Sequence, residues 1–152
     1  MAIDVRRAKA LRLEPITVTV ERGRLAFFAK AVGQTDPVYV DPDAAKAAGY
    51  PDLPVPLTYF FSLELESPDP FGYLTALGID LRHVLHGEQS FTYYALVHAG
   101  DTVTLRPRIV DVVTKKGGAL EFVIKRTDII RDGMPVAEAV ATVVVRNPEA
   151  QP

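Results

Sequence analysis

Histidine is the side chain whose ordinary pKa lies closest to neutrality. This sequence has three, His83, His86 and His98, within sixteen residues. Glu88 stands two residues after His86, so this stretch offers an acid and a base in close succession. A second stretch, Gln34-Thr35-Asp36-Pro37-Val38-Tyr39, offers a carboxylate and a phenol. The chemistry open to such groups is general acid–base catalysis, in which one group takes a proton and another gives it. The second stretch is poorly equipped for that work. Gln34 does not titrate, and a tyrosine has a reference pKa of about 10, too high for an unassisted base. Asp36 precedes a proline, where an aspartate most commonly caps the next turn. For His86 and Glu88 the favoured reading is a strand position facing solvent or an interface.

Other chemistries find little support. Zinc wants three or four convergent ligands, and two then eleven residues between histidines match no metal motif; no metal site is expected. The absence of cysteine excludes disulfides, thiolate zinc sites and cysteine nucleophiles. Ser62 and Ser67 lack both a nearby histidine and a G-x-S-x-G frame. There is no glycine-rich phosphate loop, and Lys115-Lys116-Gly117-Gly118 reads as a solvated hairpin tip.

The elements that must position these residues follow from periodicity. Pro15 to Val20 alternates apolar and hydroxyl side chains, a short strand. Leu25, Phe28, Ala29 and Val32 share one face of a helix over about 21–32, with Gly33 as its stop. Asp41-Pro42 followed by alanines and Gly49 gives a second, short helix. Three prolines keep residues 51–56 extended. The run Leu57-Thr58-Tyr59-Phe60-Phe61-Ser62-Leu63 is apolar nearly all round and predicts a buried helix. Ser67-Pro68-Asp69-Pro70 ends it, and residues 71–77 form a further helical piece.

From Leu81 onward the period becomes two. A strand is expected over about 84–97, with a turn at Gly100-Asp101. Val103, Leu105 and Ile109 alternate with Thr104, Arg106 and Arg108, with Pro107 on the apolar parity. Leu120, Phe122 and Ile124 alternate with Glu121, Val123 and Lys125. Val136, Val140 and Val144 run through a small-residue strand. Gly117-Gly118 and Asp132-Gly133 between these runs are hairpin signals. One strand, several helices, then a run of long strands is an α+β pattern. The simplest solution curves the antiparallel sheet around the apolar central helix, the hot-dog arrangement.

With these elements in place, the chain resembles the MaoC-like hydratase and dehydratase family, in its N-terminal-type, non-catalytic form. The resemblance is carried by Phe27-Phe28-Ala29-Lys30-Ala31-Val32-Gly33, Asp36-Pro37-Val38-Tyr39, Ala44-Ala45, Gly49-Tyr50, His86-Gly87-Glu88-Gln89-Ser90-Phe91 and Ala99-Gly100-Asp101. It covers about residues 12–146 of a single expected domain over 1–152. It implies a hot-dog fold acting on acyl groups held as thioesters on coenzyme A or acyl carrier protein. Either carrier arrives as part of the substrate, and no separate cofactor is expected.

Catalytic members of that family carry D-x-N-P-L-H, whose Asp and His flank the thioester. With Pro37 fixed, Gln34 takes the Asp position, Asp36 the Asn position and Tyr39 the His position. No catalytic residue is therefore assigned with assurance; Asp36, His86 and Glu88 are weak substitutes. Catalytic members also place His-Gly at the start of the central helix, where a backbone N–H polarises the carbonyl. Here Val55-Pro56-Leu57 stands there, and proline has no N–H to donate. Tyr39, Pro56, Leu57, Thr58, Phe60 and Phe61 are the residues expected to line an acyl-binding site.

Three roles follow. The first is an acyl-binding subunit that pairs with a catalytic chain. The second is a self-sufficient homodimeric hydratase or thioesterase with unusual residues. The third is a non-enzymatic acyl-CoA-binding module. Hot-dog sheets expose edges that must be covered, so a homodimer or a heterodimer with a catalytic relative is expected. With 48% hydrophobic and 24% charged residues and a net charge of −2, nothing suggests a nucleic-acid partner. No apolar span of membrane length occurs and Met1 to Arg7 holds no apolar leader core, so a cytoplasmic protein without membrane association is expected. The tail from Asn147 to Pro152 is expected to fray.

Overall fold

The computed structural model describes residues 2–150. Helix α1 (Val5–Ala10) starts on Asp4, whose carboxylate accepts from the Arg7 backbone N–H, and is followed by strand β1 (Ile16–Thr19). Helices α2 (Arg22–Ala31) and α3 (Pro42–Ala47) come next. The central helix is split into α4 (Tyr59–Glu64) and α5 (Gly72–Ala76). Strands β2 (Val84–Tyr93), β3 (Thr102–Lys115), β4 (Leu120–Arg131) and β5 (Met134–Arg146) complete the chain. All pairings are antiparallel, in the order β1-β3-β4-β5-β2. The result is the hot-dog fold: a curved five-stranded sheet with the helices on its concave face.

Both hairpins fall where the glycines put them. Asp132 and Gly133 take φ of 51° and 76° between β4 and β5. A positive φ at both central residues matches the right-handed twist of the flanking strands. Ser67-Pro68-Asp69-Pro70 breaks the central helix because a proline lacks the N–H that an interior turn requires. Each half then settles into its own apolar cluster. Tyr59, Phe60 and Leu63 of α4 pack with Leu53, Leu105 and Ile129. Tyr73 and Leu74 of α5 pack with Ile109, Val112, Val123 and Val143.

Three local expectations are corrected. Helix α1, absent from the periodicity reading, lies along β3 and buries Ala8 completely. Its Arg7 guanidinium donates to the Ala76 carbonyl at 2.7 Å, closing the end of α5. The strand expected over 84–97 ends at Tyr93, because the Tyr94 and Ala95 N–H groups both donate to the Val136 carbonyl and the chain then turns to bond Leu53 and Val55 through Ala99 and Val97. Asn147 does not fray. Its side-chain amide donates to the Gly118 carbonyl and to Glu121, both at 2.8 Å. Gln151 and Pro152 lie outside the described residues.

The strands also reverse a simple hydrophobic parity. In β4 the buried side is Glu121, Val123, Lys125, Thr127 and Ile129, while Leu120, Phe122 and Ile124 are only half-buried on the outer face. Glu121 is fully buried because it ties both ends of the chain, accepting from Ile3 N–H at 2.7 Å as well as from Asn147. In β5 the inward positions are Ala137, Ala139, Ala141, Val143 and Val145. Small inward side chains leave depth in the sheet for the helix.

Candidate functional site

The segment that lies at the family's catalytic run in the resemblance performs turn work in the structure. Residues 34–38 form two nested side-chain-to-backbone bonds. Gln34 Oε1 accepts from the Asp36 N–H and Asp36 Oδ1 accepts from the Val38 N–H, each at 3.1 Å. Asp36 thereby caps a single 3-10 turn, Pro37–Tyr39, where the proline's missing N–H is not needed. Gln34 and Asp36 are exposed and Tyr39 is half-exposed.

His86 and Glu88 lie on opposite faces of the sheet. Gly87 forms a bulge between them, so His86 pairs with Val143 and Glu88 with Thr142. Only glycine fits the bulge, since a Cβ there would stand 2.6 Å from Val144 Cγ2 and 3.2 Å from the Thr142 carbonyl. His86 stacks on Phe61 with ring centroids 5.2 Å apart, and its Nε2 lies 3.1 Å from the Glu88 carbonyl. Asp36 and Tyr39 are not brought to this pair by any hydrogen bond or ion pair among the described residues. Among the described residues no three His, Asp or Glu side chains converge as a metal site would require.

The remaining sequence candidates gather at the start of α4. Pro56 and Phe60 are buried, Phe61 is half-buried, and Leu57 and Thr58 are exposed. Leu57 and Phe60 line a shallow cavity of about 240 Å3 with Tyr93, Tyr94 and Leu96. The Tyr93 hydroxyl donates to the Leu57 carbonyl at 2.7 Å, fixing the entry to the helix, and burial pushes that phenol's pKa up. Leu57, Tyr94 and Leu96 are each more than half exposed around this cavity, an apolar patch where β2 ends.

A larger cavity, about 450 Å3, opens where the two prolines part α4 from α5. Sequence reasoning missed it. Its walls include Leu11, Leu13, Pro68, Leu105 and Pro107, and also Glu64, Tyr73, Lys125 and Thr127. The Lys125 ammonium pairs with the Glu64 carboxylate, and their side chains are only 10% and 11% exposed. The same ammonium stands 5.2 Å from the centre of the Tyr73 ring. Burial raises the Tyr73 phenol well above its ordinary value, with the Glu64 charge adding to the effect. One signal pointed here, the helix-breaking Ser67-Pro68-Asp69-Pro70. The pairing of Glu64 with a lysine sixty-one residues away had none.

Fold and site together describe a hot-dog domain of the hydratase and dehydratase type. The family described as FAS1-like, dehydratase domain region, matches residues 8–139, and the chain belongs to that MaoC-like dehydratase family. A UPF0336 protein of Clavibacter michiganensis is 38% identical over 131 residues, covering 86% of this chain and 87% of the relative. The C-terminally truncated HadBC complex of Mycobacterium tuberculosis, a 3R-hydroxyacyl-ACP dehydratase, is 25% identical with a TM-score of 0.77, over 95% of this chain and 98% of that one. The ChsH1–ChsH2 complex of the same organism shares the fold at a TM-score of 0.76 and 23% identity, over 97% and 91% of the two chains. Among the described residues no helix is long and apolar enough to cross a membrane.

Proposed function

We propose that this chain is the acyl-binding, non-catalytic subunit of a two-chain acyl-thioester hydratase or dehydratase. The observation that carries the reading is the use of the dyad positions. Reversible hydration needs a proton acceptor and a proton donor poised near neutral pH. Gln34 and Tyr39 stand in those places, and the neighbouring Asp36 is occupied in capping a turn. The partner would supply the Asp and His, and this chain would supply apolar surface for the acyl group. The substrate's coenzyme A or acyl carrier would be the only cofactor-like group involved.

Two observations support a partner. Strand β2 is an edge strand with an unpaired side, and such edges are covered in stable proteins. The exposed Leu57, Tyr94 and Leu96 at the end of that strand form the kind of apolar patch that marks an interface. That HadBC and ChsH1–ChsH2 are complexes of two kinds of chain accords with a mixed pair. A cytoplasmic setting fits coenzyme A and acyl carrier thioesters as substrates.

The test is to purify the chain alone and measure hydration of crotonyl-CoA and longer enoyl-CoAs, then repeat with a co-expressed MaoC-like chain bearing D-x-N-P-L-H. Turnover is expected only in the second preparation. Robust turnover by the chain alone would end the division of labour.

A further inference from the structure

The large cavity behind the broken helix is not lined as a store for plain hydrocarbon. A buried ion pair is seldom more stabilising than apolar side chains of equal volume, because two ions must be stripped of water. Yet Lys125 and Glu64 form such a pair in the wall of an otherwise largely apolar chamber of about 450 Å3. The ammonium has three N–H donors. Glu64 is its hydrogen-bonded acceptor among the described residues, and the Tyr73 ring covers another side. Donor capacity is left over. Thr127, two residues along the same face of β4, lines the same chamber and is fully buried, and its hydroxyl has no hydrogen-bond partner among the described residues. A buried hydroxyl left unpaired is a cost to folding. An unsubstituted alkyl chain would do nothing for either group.

The charge of the wall limits what can satisfy them. Lys125 and Glu64 cancel, and the other charged lining residues, Arg12 against Glu14 and Asp69, leave the wall net negative, so a second anion would be opposed. A neutral oxygen can accept from the ammonium without disturbing the pair. We propose that the cavity receives an acyl group carrying a ketone or hydroxyl oxygen remote from its thioester, with Lys125, held in place by Glu64, donating to that oxygen. This inference rests on the acyl-thioester reading above and names the class of acyl group within it. The apolar walls of Leu11, Leu13, Leu105 and Pro107 enclose the hydrocarbon body, and the polar strip on β4 selects where oxygen is tolerated.

Calorimetric titration of the purified full chain tests it. The ligands are dodecanoyl-CoA, its 8-, 10- and 12-hydroxy and keto counterparts, and the methyl esters of the same acids, which lack the carrier. At least one oxygenated thioester should bind about tenfold more tightly than dodecanoyl-CoA, the discrimination expected when a buried donor is left unpaired by the wrong ligand. The double variant Lys125→Met/Glu64→Leu, which removes the charges together, should bind all of them alike. Equal binding of plain and oxygenated thioesters by the unmodified chain, a comparison that needs no variant, overturns the inference and leaves the acyl-thioester reading standing. A preference that persists in the double variant also overturns it. An oxygen preference among the methyl esters that the double variant loses, without thioester binding, would retain the polar anchor and remove the acyl-thioester reading. No binding by any ligand would overturn both.

Discussion

Residues 34–41 and the chamber behind the central helix contrast in how their polar groups are used. In the first, Gln34, Asp36 and Asp41 sit in water, and each accepts from a backbone N–H two residues further on. Those bonds close locally, within the turn that each residue shapes. In the second, a lysine, a glutamate and a threonine are withdrawn from solvent among largely apolar walls, and one hydroxyl has no partner among the described residues. Locally closed hydrogen bonds shape a chain, whereas buried polar groups with spare capacity invite a ligand.

The contrast can be broken most forcefully at Lys125. Lys125→Met alone leaves the Glu64 carboxylate buried without its partner and should cost about 3–5 kcal/mol in urea unfolding. Adding Glu64→Leu should recover most of that loss; a double variant as unstable as the single one would show that the pair is structural. At Thr127 the sign reverses. Thr127→Val keeps the shape and removes an unpaired hydroxyl, so the unliganded chain should gain about 1 kcal/mol, and a loss would mean that the hydroxyl is satisfied. On the exposed segment, Asp36→Ala removes the cap of the 3-10 turn at a cost of about 1 kcal/mol. Asp36→Asn, which keeps an accepting oxygen, should cost less than Asp36→Ala. A catalytic carboxylate would instead lose activity in both variants when the chain is assayed with the co-expressed MaoC-like chain proposed above.

The smallest effect is expected at Asp52. The Arg22 guanidinium, donating from Nε at 2.9 Å and from Nη2 at 2.6 Å, holds its carboxyl down at about 2, against the opposing effect of burial. The folded value lies below the unfolded one, so the pair's contribution is complete above about pH 4 and is lost as the pH falls toward 2. Arg22 is half exposed, and solvent screening keeps that contribution small. Asp52→Asn should flatten the melting temperature between pH 4 and pH 2 and change it little at neutrality. An unchanged acid slope would show that the pair contributes nothing.

Much of the architecture was legible because it depends on local rules. Gly117-Gly118 and Asp132-Gly133 announce hairpins through the backbone conformations they permit. The apolar spacing of Leu25 and Ala29 marks a buried helix face, and both are fully buried. Helix α1 escaped because six residues rich in arginine carry no apolar stripe; it is held by Ala8 against the sheet and by Arg7 on α5. The parity of β4 was misleading for a related reason. Leu120, Phe122 and Ile124 look like the core face, but Glu121 and Lys125 are buried by partners far along the chain. An alternation pattern cannot tell a solvated charge from one neutralised at a distance.

The sequence by itself therefore determined most of the elements, their turns, the break in the central helix and the Asp36 cap. These follow from single residues and their immediate neighbours, through backbone preference and capping. Tertiary structure alone decided that Gly87 would send His86 and Glu88 to opposite faces, and that Lys125 would meet Glu64 inside a chamber. Those outcomes depend on strand register and on charges desolvated together, and neither is fixed until the sheet has closed over the helix.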